Sequence, residues 1–253
     1  MEYVMVMEKR IRDRLSQGLK KRKEKILFLL FIEALLLFLI LYYLTIGKDT
    51  GNAIRVTITL FLATIPIGME YLFDMIIPWP VYIFSVFYTL GHVMGYCFLL
   101  YMHFPWWDDM MHCTEGFLFT MFGYYYLSAG AEGSKKALVR NLVFGISLSI
   151  LIAVLWEMTE YAVDKIWLLD MQKDVFVSRI DSCLLAGNTG AVGSIENIGE
   201  VTVGGQILPG YIDIGLIDTM DDLIMALIGS VVFAVYALTD RDRHPILRFG
   251  TNM

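Results

Sequence analysis

The chain has 253 residues, 57% of them hydrophobic and 18% charged, with a mean hydropathy of +0.60 and a formal net charge of −6. This balance excludes an ordinary soluble domain, gives no support for nucleic-acid binding, and identifies a polytopic membrane protein whose constant partners are membrane lipids. Cys97, Cys113 and Cys183 lack metal-type spacing and say nothing about redox compartment.

In chain order, residues 1–25 form a basic, partly amphipathic lead with Lys9, Arg10, Arg12, Arg14, Lys20, Lys21, Arg22, Lys23 and Lys25. The apolar run over 26–46 is long enough to span hydrocarbon. It lacks a small-residue cleavage site and reads as a retained anchor. Glu33 interrupts it and is expected to face another helix, protonated or hydrogen-bonded. A second span is expected over 53–73, kinked near Pro66 because proline removes a helix hydrogen bond. Glu70 and Asp74, near its far end, read as an interfacial pair. Pro78-Trp79-Pro80 turns the chain into a third span over 81–102, in which His92, between Gly91 and Gly95, reads as a hydrogen-bonded packing residue.

Three further spans are expected over 107–127, 142–163 and 214–238. The fold class is therefore an all-α transmembrane helix bundle of about six spans. A membrane domain covers 26–238, with the basic lead before it and a tail over 239–253. Residues 166–213 form a glycine-rich loop, long for a connection inside a compact domain. Within it, 201–208 reads as a β-hairpin, since Gly204-Gly205 between short β-formers suits a primed turn. Fifteen of the twenty lysines and arginines fall in the lead, the 132–141 loop and the tail. The positive-inside rule then makes both termini cytoplasmic and the long loop extracytoplasmic in a bacterial inner (cytoplasmic) membrane.

Charge inside a membrane segment is costly and marks function by default. Three spans carry it: Trp107-Asp108-Asp109-Met110-Met111-His112-Cys113-Thr114-Glu115-Gly116, Trp156-Glu157-Met158-Thr159-Glu160 and Asp218-Thr219-Met220-Asp221-Asp222. In the six-span topology the fourth and sixth helices begin at the outer face and the fifth ends there, so all three bring their acids to one depth. At 1.5 Å per residue, the acids of the fourth helix lie about 3 to 14 Å into the span. Residues three or four apart share a helix face, which selects Asp108, His112, Glu157, Glu160, Asp218 and Asp222, with Glu115 as a seventh candidate and Asp109 and Asp221 pointing elsewhere.

Acids at a helix N-terminus are favoured by the helix dipole, which explains Asp108 and Asp218, and at its furthest reach Asp222, without a site. It does not explain Glu157 and Glu160, near the opposite end of theirs. Five carboxylates cannot all stay ionised together in low dielectric. Either they share protons and water, or they hold a divalent cation, and a mostly oxygen shell with one imidazole suits Mn²⁺, Fe²⁺, Zn²⁺ or Mg²⁺.

The pattern Trp107-Asp108, His112 and Gly116, then Leu155-Trp156-Glu157 and Glu160, then Asp218-Thr219-Met220, Asp222 and Gly229 resembles the YjdF-like family of bacterial inner-membrane proteins. The resemblance covers about residues 105 to 235. A more distant similarity links it to VanZ-like membrane proteins, which also place an Asp and a His at the start of a span. The resemblance implies an integral inner-membrane protein of this span count and brings no activity with it. Asp109 and the long glycine-rich loop depart from the family pattern.

Three classes of function remain open. An enzyme would act on a lipid or lipid-linked substrate, with His112 as ligand or proton shuttle, Glu157 and Asp222 bridging a metal, and the loop as a lid. A cation or proton transporter would continue the polar path inward, with only His92, Glu70 and Glu33 to carry it. A membrane assembly subunit would use the cluster for helix packing alone. Nucleotide-binding loops, nucleophile elbows and HExxH pairs are absent from the sequence.

Overall fold

A computed structural model describes residues 2–128, 134–168, 170–187, 190–239 and 250–251, with side chains from Arg22 to Thr239. Helix α1 (Glu2–Tyr42) runs without a break from the basic lead into the first apolar run and ends in a π-helical turn, Tyr43–Gly47. Asp49 caps α2 (Thr50–Leu62) by accepting from the Asn52 backbone N–H at 2.9 Å. The helix stops before Pro66, and α3 (Ile65–Leu72) restarts with that proline in its first turn, so the expected kink is a break between two helices.

Strand β1 (Met75–Ile76) precedes α4 (Trp79–Cys97) and the short α5 (Leu100–His103), separated by Leu99 in the left-handed region. Helices α6 (Trp106–Ser128), α7 (Lys135–Trp167) and α8 (Leu216–Thr239) complete the bundle. Four segments are long and apolar enough to cross a membrane by length and composition: Arg22–Gly47, Thr50–Leu72, Lys135–Trp167 and Leu216–Thr239. Helices α4 and α6 are diluted by His92 and by the Asp108 to Glu115 cluster, and fall outside that set.

Two groups of helices share one core. Helices α1 to α4 pack on one another, α6 packs most extensively against α7 and α8, and α4 against α6 joins the groups. Leu36, Val56, Tyr82, Val86, Met121 and Phe233 form the centre, while Phe38, Phe61, Leu227, Val232 and many others leave the outward faces apolar, as hydrocarbon solvent requires.

The segment between α7 and α8 holds strands β2 (Val175–Val177) to β7 (Tyr211–Asp213). The expected hairpin is there: β5 (Val201–Val203) pairs with β6 (Gln206–Leu208), and Gly204 and Gly205 both take positive φ, as a primed turn demands. It has companions not expected from the sequence. Strand β2 pairs with β7, and β3 (Ile180–Ser182) pairs with β4 (Gly193–Ile195). Arg179 bonds both Asp181 and Glu196 across this ribbon, and with Ser194 it holds the exposed Asp181 carboxyl down to about 2. Strand β8 (Gly250–Thr251) pairs with β1, which brings the C-terminal segment to the same end of the bundle as Arg22 and Lys25. The basic residues expected in the tail, Arg241, Arg243 and Arg248, lie outside the described residues, as do Glu132 and the side chains before Arg22.

Glu70, expected near the end of its span, is fully buried there, paired with Arg22 at 2.8 Å and with Lys25, and it accepts the Ile77 backbone N–H at 2.8 Å. Arg22 also donates to the Glu70 and Met75 carbonyls, so the one carboxylate faces two cations and every charged group in this node is hydrogen-bonded.

Candidate functional site

Glycines decide how closely α6, α7 and α8 approach. A Cβ on Gly116 would lie 1.9 Å from the Ala226 carbonyl oxygen, and one on Gly229 would lie 1.9 Å from that of Cys113. Helices α6 and α8 therefore touch backbone to backbone at two reciprocal points. Gly145 does the same for α7, where a Cβ would lie 2.4 Å from the Thr120 carbonyl. Beside these contacts Ser230 donates to the Ser149 hydroxyl at 3.1 Å, and both hydroxyls face the Gly116 carbonyl at 3.3 Å. One turn from Gly116 along α6, and two turns from Gly229 along α8, stand His112 and Asp222.

The result is a polar cluster where the N-terminal ends of α6 and α8 meet the C-terminal half of α7. His112 Nε2 lies 3.3 Å from Asp222 and 3.8 Å from Asp108, and its Nδ1 faces Glu115 at 3.4 Å. Asp108, His112 and Asp222 each offer one donor atom within 4.8 Å of the others, as do Glu157, Glu160 and Asp222, so Asp222 belongs to both groups. Burial is nearly complete from 3% exposure at Glu115 and Asp222 to 7% at Glu160, while Asp108, at 17% in its side chain, is partly open. Neither carboxylate oxygen of Glu157 has a hydrogen-bond partner of normal geometry, although Gln172 and Thr219 face it, and His112 Nδ1 is likewise unbonded.

Of the seven residues marked in the sequence, five contribute to these two groups. Glu115 stands on the other side of the imidazole ring, 3.4 Å from Nδ1, and belongs to neither group. Asp218 stands apart as well, because it accepts the Lys173 backbone N–H at 2.9 Å and lies 3.8 Å from the Lys173 ammonium.

Lys173 was not marked in the sequence. It ion-pairs with Asp108 and lies over the Tyr101 ring at 5.2 Å, closing the cluster from the loop side. Its backbone is held there because Asp164 accepts from the N–H groups of Met171 and Gln172 at 2.7 and 2.9 Å. Two signals were legible. Lys173 and Arg179 are the only basic residues between 166 and 213, and Asp164 extends the Glu157 and Glu160 stripe by one more turn. His92 accepts or donates a 3.2 Å hydrogen bond with the Tyr101 hydroxyl, and Trp107 donates to the Gly91 carbonyl at 3.3 Å, which ties α6 to α4.

Apolar helices of this length around such a cluster define a multi-pass helical membrane protein. The chain belongs to the family described as predicted membrane protein (DUF2238), also called YjdF-like, which matches residues 27–243. No curated protein and no solved structure matches it. The likeness to VanZ-like proteins therefore rests on the quoted residues alone.

Proposed function

We propose that this protein crosses the cytoplasmic membrane six times and holds a divalent cation at its outer face, where it acts on a lipid or lipid-linked substrate. In this reading α4 and α6 are spans whose polar faces turn inward, both termini are cytoplasmic, and the 166–213 loop covers the site. The observation that carries the proposal is Glu157. Its carboxylate is 4% exposed, has no hydrogen bond of normal geometry among the described residues although Gln172 and Thr219 face it, and sits beside two further acids. A buried, unpaired carboxylate is costly unless a cation or proton compensates it.

The donor set fits a hard or borderline cation. Oxygen and imidazole donors bound at about 2.0 to 2.2 Å stand at most about 4.4 Å apart across an ion. The donor atoms of each group all lie within 4.8 Å of one another, which brings them near the span of one ion. Mn²⁺, Fe²⁺, Zn²⁺ and Mg²⁺ match this chemistry. Asp108, His112 and Asp222 would form one cation position and Glu157, Glu160 and Asp222 another, with Asp222 bridging. Glu115 would hold the imidazole in place. Below Glu115 the interior turns apolar at Leu118, Met121 and Phe122, which favours a substrate site over a continuous ion route. Glu70, the next acid along that route, is already neutralised by Arg22 and Lys25.

Elemental analysis of detergent-purified protein tests the reading. The wild type should retain about one or two equivalents of a transition metal or Mg²⁺. A His112→Ala, Glu157→Gln double variant of equal helicity should retain none. Equal metal content in both, or none in a wild type equilibrated with all four ions, would overturn the metal site.

A further inference from the structure

A cavity of about 300 Å³ lies between α3, α4, α6 and α7, at the lower end of ligand-pocket sizes. It follows α4 from Val81 to His92, a length of about 16 Å at helical rise. Its two ends differ. Glu115, His92 and Tyr88 close the end next to the acid cluster, whereas Met69, Ile77 and Met121 line the far end.

The Ser and Thr hydroxyls along the wall have spent their donors. Ser85 donates to the Val81 carbonyl at 2.8 Å, Thr89 to Val86 at 2.7 Å and Thr159 to Leu155 at 2.8 Å, each turned back onto its own helix. A buried water needs two to four polar partners, and this wall does not supply them away from the Glu115 end. The side of the cavity is formed by residues that also face outward, Ile65 at 45% exposure on α3 and Leu155 at 51% on α7. Helix α3 packs on α1 and α4, and α7 on α6 and α8, so the slot between them opens onto the apolar outer surface of the bundle.

We infer that this slot binds the hydrocarbon tail of a membrane lipid, entering sideways between α3 and α7, with the lipid's polar end at the Glu115 and His112 side. A lipid of the leaflet nearest the acid cluster has this polarity, headgroup towards the cluster and tail pointing away from it, towards the Ile77 end of the slot. The slot matches it in polarity as well as direction. The inference deepens the proposed lipid chemistry by naming the group that is held, and it rests on that reading only for what happens at the polar end.

The test uses full-length protein in vesicles of phosphatidylethanolamine and phosphatidylglycerol, doped with phosphatidylglycerol carrying a diazirine at the far end of one acyl chain. After irradiation, peptide mass spectrometry should find the label concentrated on Met69, Met121 and Phe122. In a Ser85→Trp variant, whose indole fills the slot, labelling at those residues should fall about tenfold or more, with metal content and thermal stability retained. Labelling spread over outward residues such as Ile58, Phe61 and Leu227, with no concentration in the slot of the wild type, overturns the inference whether or not the variant folds. Slot labelling in a wild type that holds no metal would leave the tail site standing and remove the metal reading alone.

Discussion

Glu70 and Glu157 are both buried glutamates on membrane helices, at opposite ends of α4, yet their surroundings differ in kind. Around Glu70 the carboxylate is matched by two cations, Arg22 and Lys25, and their further donors reach the carbonyls of Glu70, Met75 and Ile77. Around Glu157 the neighbouring charges are Glu160 and Asp222, and among the described residues the carboxylate has no hydrogen bond of normal geometry, with only Gln172 and Thr219 facing it. The first cluster is matched within the protein and ties α1 to α3. The second gathers more acids than His112 and Lys173 can balance, and this imbalance, more than the presence of acids in lipid, separates it from a structural ion pair.

Substitutions should widen the contrast. The largest loss of stability is expected for Glu70→Ala, because removing one partner of a buried ion pair costs about 3 to 5 kcal/mol. Thermal unfolding in detergent should show it, and a Glu70→Ala protein as stable as the wild type would mean that the node is hydrated. Gly116→Ala should cost about 1 to 3 kcal/mol by overpacking and lower metal retention too, because a methyl there meets the Ala226 carbonyl. Unchanged metal content in that variant would separate the helix crossing from the site. The smallest effect should come from Lys173→Ala. Lys173 is 43% exposed in its side chain, so the expected stability change is below about 1 kcal/mol. Faster hydrogen exchange at Met171 and Gln172 would show the loop loosening over the acids, and unaltered exchange would deny Lys173 its closing role.

What could be read in the sequence was whatever repeats locally. Apolar runs marked the helices, three- and four-residue spacings put Glu157 with Glu160 and Asp218 with Asp222, and Gly204-Gly205 marked its hairpin. The missing parts are partnerships across long separations. Arg22 lies 48 residues from Glu70, and Lys173 lies 65 from Asp108. No periodicity links them. Gly116 and Gly229 stood in the motif, but only the three-dimensional crossing gives them their work, since a glycine in a span reads the same whether it faces lipid or another backbone.

That crossing also sets the mechanics of the molecule. Where side chains interlock, helices can shift by changing rotamers; where carbonyls meet Cα atoms directly, as at Gly116 with Ala226 and Gly229 with Cys113, there is nothing to rearrange. Sliding α6 against α8 by one residue would drive a side chain into a peptide plane. These two helices therefore behave as one rigid girder, with His112 and Asp222 bolted to it. Any opening of the cluster has to come from parts hung on the girder: the 166–213 segment, which leaves α7 at Leu168 and rejoins α8 at Gly215, both in the left-handed region, or the α1 to α4 group swinging at its contact with α6.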